Sequence, residues 1–293
     1  MDQAVQVVVA GIAQGSIYAL LGLGFSIVSM STRILNLAQG SCALLGGFLS
    51  ISLAVRFRLP LIVAFAASVA AAALFGAFTE RFVNISAKPW KPVPQTTAVL
   101  ATLALMVIVE GAASLIWGAD TLRGRPLQPG AVQIAGAVVP RQYLWNIAAM
   151  LAITAALHCF LRFTWTGRAM RANRENSLMS HLLGVNVRRL GSVSFAIGGA
   201  VGATAGILAS PITWIDYQMG GTFMLFGLLA FLIGGESRIA GAMVGGLLLG
   251  VVENLLLLVP GLAGGLLKQV VPMMALLLML VFRPEGILGR KAP

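Results

Sequence analysis

Long apolar runs broken by short polar punctuation dominate this 293-residue chain. They fall near residues 5–30, 37–55, 60–81, 95–117, 142–163, 189–209, 222–236, 239–258 and 268–282. A helix needs roughly 20 apolar residues to cross a bilayer core. The pattern therefore predicts about nine transmembrane helices (about 8–10), an all-α polytopic membrane protein in which residues 1–293 form a single transmembrane domain. The seventh run is short and contains Gly227, Gly234 and Gly235, which predicts a broken or re-entrant helix. Composition agrees: 58% of residues are hydrophobic and 10% charged, against about 25% charged in a soluble domain. Too few ionised groups exist to cover a water-exposed surface.

The net charge is +11, from 20 Lys+Arg against 9 Asp+Glu. In a soluble chain that excess would suggest nucleic acid, but here the basic residues sit between apolar runs, where they set membrane orientation. Arg162, Arg168, Arg171, Arg174, Arg188 and Arg189 crowd one loop, with Glu175 its only acid. That loop is expected to be cytoplasmic. Nine spans put Arg81, Lys88 and Lys91, and the tail residues Arg283, Arg290 and Lys291, on the same side. The N-terminus is then periplasmic and the C-terminus cytoplasmic, although the outer loop 118–141 carries Arg123, Arg125 and Arg141 against Asp120. Met1-Asp2-Gln3 lacks the charge of a signal peptide, so the first run is expected to stay as a helix. Cys42 and Cys159 lie in apolar stretches without metal spacing, and are expected to be buried packing residues.

Gly15-Ser-Ile-Tyr-Ala-Leu-Leu-Gly-Leu-Gly-Phe-Ser26, leading to Asn36-Leu-Ala-Gln-Gly-Ser41, parallels Gly202-Ala-Thr-Ala-Gly-Ile-Leu-Ala-Ser210, leading to Tyr217-Gln-Met-Gly-Gly-Thr222. Each is a small-residue helix, a loop, and a Gly-Ser/Thr step opening an apolar run. With opposite membrane directions, the two suggest an inverted repeat, although 34 glycines also make chance similarity easy. Gly11/Gly15, Gly198/Gly202/Gly206 and Gly241/Gly245 recur at spacing four, one helix face each. Such faces suit plain helix packing or the sliding walls of a pathway. Interrupted backbone beside Ser41 and Thr222 could bond a polar solute. Asn36, Gln39, Gly40, Ser41, Gly220, Gly221 and Thr222 are therefore the candidate substrate-pathway residues.

Glu110 and Glu253 lie inside apolar runs, where an ionised carboxylate needs a cavity, a partner or a proton. Either residue suits pathway polarity, a gate anchor, or hydrogen-bonded glue near a helix end; Glu110 is only about 10 Å from its outer end. His158 and His181 have no companions at ligand spacing, so no metal site or catalytic residue is expected.

Between runs five and six, residues 164–189 form the basic loop. Leu178, Met179, Leu182 and Leu183 recur at helical spacing, predicting a short amphipathic helix over Glu175–Leu183 with Gly184 as its C-cap. It suits either the lipid headgroups or a groove of a soluble partner.

Several motifs in order resemble one family. Gly15-Ser-Ile-Tyr-Ala-Leu20 with Asn36-Leu-Ala-Gln-Gly40, Leu100-Ala-Thr-Leu with Glu110 and Gly118-Ala-Asp120, Gly167-Arg-Ala-Met-Arg-Ala172 through Leu183-Gly-Val-Asn186, Gly241-Ala-Met-Val-Gly-Gly246, and Arg283-Pro-Glu-Gly-Ile-Leu-Gly289 are similar to permease subunits of bacterial ABC importers for branched-chain amino acids, the leucine/isoleucine/valine type. The resemblance implies an inner-membrane permease subunit driven by ATP hydrolysis in separate subunits. Its partners would be a second homologous permease subunit, two cytoplasmic ATP-binding subunits, a periplasmic substrate-binding protein and the lipid bilayer, with no nucleic acid. It also implies that Arg171, Glu175, Asn176, Leu178, Met179, Leu182, Leu183 and Gly184 form the coupling helix received by an ATPase groove. No Gly-x-x-x-x-Gly-Lys-Ser/Thr occurs, so a transporter subunit without its own ATPase motif and with no cofactor is expected, not an enzyme.

Gln39, Ser41 and Asn176 depart from the family's usual His, acidic residue and Asp, and Gly234-Gly-Glu-Ser-Arg238 from its Gly-Gly-x-Gly-Ser/Thr. Urea, short amides or aromatic acids thus stand beside branched-chain amino acids as cargo. The rival function is a stand-alone proton-coupled secondary transporter using Glu110 or Glu253. An intramembrane enzyme lacks any nucleophile–base pair or metal constellation.

Overall fold

A computed structural model of the chain describes residues 2–85, 93–134, 137–235, 239–256, 274 and 286–287. Its elements are α1 (Asp2–Thr32), α2 (Gln39–Ile51) with a π-helical turn over Ser52–Arg56, α3 (Leu61–Val83), α4 (Gln95–Trp117), the strands β1 (Ala131–Ile134) and β2 (Ala137–Pro140), α5 (Arg141–Phe163), α6 (Trp165–Glu175), α7 (Ser177–Leu182), α8 (Val187–Ala209), α9 (Met219–Gly234) and α10 (Ile239–Leu256). Among the described residues, α1, α3, α4, α5, α8 and α10 are long and apolar enough to cross a membrane, and α9 is a shorter apolar helix. The chain is a multi-pass, predominantly helical membrane protein. Apart from Met274, the ninth apolar run, 268–282, lies outside the described residues, as do Lys88, Lys91, Glu236–Arg238, Arg290, Lys291 and all of the closing motif except Gly286 and Ile287.

Local chemistry sets the boundaries. Pro60, Pro94 and Pro140 stand immediately before α3, α4 and α5, where the missing N–H costs no helical bond. Gly118 and Gly235 end α4 and α9 with φ of +82° and +90°, backbone that a side chain would strain. The connection between α4 and α5 contains an unanticipated β1–β2 hairpin, antiparallel with Val132 opposite Val139.

The centre is built on α1 and α8. Residues 201–209 of α8 are buried without interruption, as are Ile17–Met30 of α1. Small residues make this possible: a Cβ on Gly15 would come within 2.8 Å of the Gly246 carbonyl, so α1 and α10 touch at backbone level. The glycine rows therefore lie where helices press together.

Directions follow from what each helix end touches. At the C-terminus of α1, the Ser31 carbonyl accepts a 2.7 Å bond from Asn173 Nδ2 of α6. At the opposite face, the connection after α4 pairs with the one after α8, through Leu122 and Ile215. α2 ends against the C-terminal Trp117 of α4. α9 instead runs alongside α1, with Phe226 stacked on Tyr18 and Phe231 on Phe25. The units α1–α2 and α8–α9 consequently run antiparallel, as the paired glycine motifs suggest.

Two local expectations change. The helix drawn over Glu175–Leu183 divides at Asn176 into the end of α6 and the start of α7, because Asn176 Oδ1 accepts from Met179 N at 2.9 Å and caps a new helix. Cys42 is buried, but Cys159 is exposed on α5.

Candidate translocation site

α2 and α9 both begin inside the fold, and their first turns touch. A Cβ on Gly40 would overlap the Gly220 carbonyl and stand 2.9 Å from Met224 Cβ. From this junction the two half-helices leave in opposite directions. A helix N-terminus leaves N–H groups without intrahelical partners, and the N-cap residues Ala38 and Gln218 supply no side-chain cap. The partners are backbone carbonyls, such as that of Gln218, which accepts from Gly221 N at 3.2 Å, and side chains from other segments. Glu110 Oε1 of α4 accepts from Gly221 N at 2.7 Å. Thr102 Oγ1, also of α4, accepts from Leu37 N at 3.2 Å, and Asn36 Oδ1 accepts from Ala38 N at 3.2 Å.

Gln39 is fully buried between Gly24 of α1 and Gly202 of α8, and its Nε2 donates to the Gly198 carbonyl at 2.8 Å. A Cβ on either glycine would collide with the amide. Among the described residues, Asn36 Nδ2, Gln39 Oε1 and Ser41 Oγ are buried without a hydrogen-bond partner, unusual where buried polar atoms are normally satisfied. The junction thus holds spare polar capacity in an apolar surrounding.

The predicted pathway residues Asn36, Gln39, Gly40, Ser41, Gly220 and Gly221 come together here with Glu110, and half-buried Thr222 follows in the first turn of α9. Glu253 does not join them. It is 3% exposed on α10 and accepts a 2.7 Å hydrogen bond from Tyr18 Oη of α1. Sequence reasoning missed Thr102, whose hydroxyl is inconspicuous in an apolar run, and Tyr18. It also missed Glu80, a buried carboxylate of α3 that accepts from Ser192 Oγ of α8 at 2.7 Å. The signal for Glu80 was a carboxylate at a span end.

The residues that the sequence reading assigns to coupling occupy one face of the molecule, around α6 and α7. α6 buries Gly167, Met170 and Asn173 against its neighbours, while Arg171 and Glu175 are exposed. On α7, Leu178, Met179, Leu182 and Leu183 are 72%, 53%, 72% and 77% exposed. Gly184, at φ +81°, closes the helix: its N–H bonds the His181 carbonyl and that of Val185 bonds Ser180. The result is a capped, one-and-a-half-turn apolar knob.

A multi-pass helical protein with interrupted helices meeting end to end in its interior is the architecture of a membrane permease. Residues 7–282 match the family described as "Branched-chain amino acid transport system / permease component", and the chain belongs to it. It is 30% identical to the high-affinity branched-chain amino acid transport system permease protein BraD of Pseudomonas aeruginosa, over 97% of this chain and 95% of that one. It is 28% identical to the corresponding LivH of Escherichia coli K12 over 96% and 94%, and 27% identical to the ribose import permease protein RbsC of that organism over 82% and 74%. PsaBC from Streptococcus pneumoniae, solved in complex with a Fab, gives a TM-score of 0.49 at 15% identity, covering 96% of this chain and 91% of that one.

Proposed function

We propose that this chain is the membrane-spanning permease subunit of an inner-membrane ABC importer, carrying branched-chain amino acids or a related small polar solute past the α2–α9 junction. The observation that carries the reading is the exposure of four apolar side chains on α7, within the basic loop. Such a knob costs solvation free energy unless a partner groove receives it. Two cytoplasmic ATP-binding subunits would take the knobs of this chain and of a second homologous permease, and a periplasmic binding protein would deliver cargo to the opposite face. The chain needs no cofactor of its own, because ATP is consumed in the partners. The arginine-rich loop supports a cytoplasmic α6–α7, a periplasmic N-terminus and a cytoplasmic C-terminus.

The junction supports a polar cargo through Asn36, Gln39 and Ser41, whose spare atoms can exchange partners with an ammonium, carboxylate or amide. Glu110 and Glu253 each have a fixed donor, Gly221 N and Tyr18 Oη, so both suit anchors between helices better than proton carriers. The test is co-purification with the ATPase subunits, then uptake in proteoliposomes. ATP-dependent accumulation only when the partners are present is the expected result. Uphill accumulation by this chain alone would overturn the reading and favour proton coupling.

A further inference from the structure

α4 is attached differently from α1, α3, α8 and α10. α3 meets α8 at backbone level, since a Cβ on Gly76 would overlap the Phe195 carbonyl and one on Gly199 would overlap that of Ala72. α1 and α10 meet in the same way through Gly15 and Gly246. The one glycine of α4, Gly111, has nothing within 4 Å of where its Cβ would stand. α4 packs instead through one stripe of buried side chains, Ala98, Thr102, Leu105, Met106, Val109 and Ala113. Leu100, Val107, Ile108, Leu115 and Ile116 face outward and are exposed.

Polar attachments of that stripe and of the helix end occur at three levels. Thr102 holds Leu37 N, just before α2. Glu110 holds Gly221 N in the first turn of α9. Trp117 Nε1 donates to Ser52 Oγ in the π-helical turn after α2, and its ring stacks on Phe48 at 5.0 Å. Successive levels are about 12 and 10 Å apart along the helix. Two of the three clasps bond backbone N–H groups at the half-helix starts: Leu37 N, just before α2, and Gly221 N, in the first turn of α9, which also bonds the Gln218 carbonyl at 3.2 Å. Lifting α4 therefore uncovers the junction, takes the Thr102 acceptor from Leu37 N and leaves Gly221 N with only its 3.2 Å bond to the Gln218 carbonyl, in a medium poor in replacement donors and acceptors. Its return restores both. Interlocked backbones would resist such movement, whereas side-chain clasps release and re-form.

We propose that α4 is a movable wall strapped across the α2–α9 junction, and that Thr102 and Glu110 are positioning residues that return it to the closed state. Glu110 acts as a hydrogen-bond acceptor, not as a proton carrier. This rests on the permease reading above, and the experiment separates the two. The assembled importer is reconstituted with wild-type chain, Glu110→Gln or Glu110→Ala. Glu110→Gln keeps an acceptor oxygen and is expected to retain uptake within about threefold. Glu110→Ala is expected to lose uptake about tenfold or more while the ATPases still hydrolyse ATP. In parallel, spin labels at Leu115→Cys on α4 and Leu74→Cys on α3, in a Cys159→Ser background, report the distance between wall and frame. A shift of that distance between resting and nucleotide-trapped importer supports the proposal, including where Glu110→Ala fails to assemble. An unchanged distance overturns it, as does wild-type uptake by Glu110→Ala. A wild-type complex that takes up nothing overturns the permease reading instead.

Discussion

At the scale of single residues, adjacent glycines have unequal work. Gly40 lets α2 rest on the Gly220 carbonyl, and an added methyl would overlap backbone that has nowhere to go. A Cβ on Gly221 meets only Glu110 Oε1, at 3.7 Å. Gly40→Ala is accordingly expected to lower uptake about tenfold or more, and Gly221→Ala to stay within about twofold, both measured in proteoliposomes of the assembled importer. Equal effects would show that the junction's close approach is irrelevant. Tyr18 offers a second contrast. Its hydroxyl is a donor to the buried Glu253 carboxylate, so Tyr18→Phe is expected to destabilise the fold by about 1–3 kcal/mol, read as a lower unfolding temperature in detergent. Both carboxylates were legible in the sequence because charge in an apolar run is conspicuous. Their donors were not: Gly221 lies 111 positions from Glu110 and Tyr18 lies 235 from Glu253.

At the scale of elements, the long helices announce themselves. The reading of 95–117 coincides with α4, and that of 142–163 differs from α5 by one residue at its start, because lipid solvation selects length and hydrophobicity directly. Short elements depend on local competition instead. Asn176 diverts its side chain to Met179 N and splits one expected helix into two, turning α7 into a separate knob. Leu182→Asp, on its exposed face, is expected to abolish capture of the ATPase subunits without lowering the unfolding temperature. A joint fall in capture and stability would instead make α7 part of the fold's core.

At the scale of the whole molecule, the antiparallel units α1–α2 and α8–α9 place the two half-helix starts back to back. The faces they connect are distinguishable by labelling. In a Cys159→Ser background, a cysteine at exposed Leu178 is expected to react with a membrane-impermeant maleimide only from the cytoplasm. One at exposed Thr121 is expected to react only from the periplasm. Labelling of both from one side would refute the orientation drawn from the arginine count, and with it the role of α7 as an intracellular coupling element.

The chain's own order of side chains determined that it lives in a membrane, roughly where each long helix begins and ends, and which loop is basic, since each depends on neighbours within a few turns. It also marked Asn36–Ser41 and Gly220–Thr222 as interruptions. Only the tertiary structure decided that these interruptions face one another, that α4 spans them, and that Glu110 belongs to their junction while Glu253 belongs to a helix seam. Glycine has no side chain with which to advertise a partner, and in lipid nearly every apolar residue can be buried or exposed at similar cost. Which surfaces meet is therefore settled by shape and hydrogen bonding across distant segments.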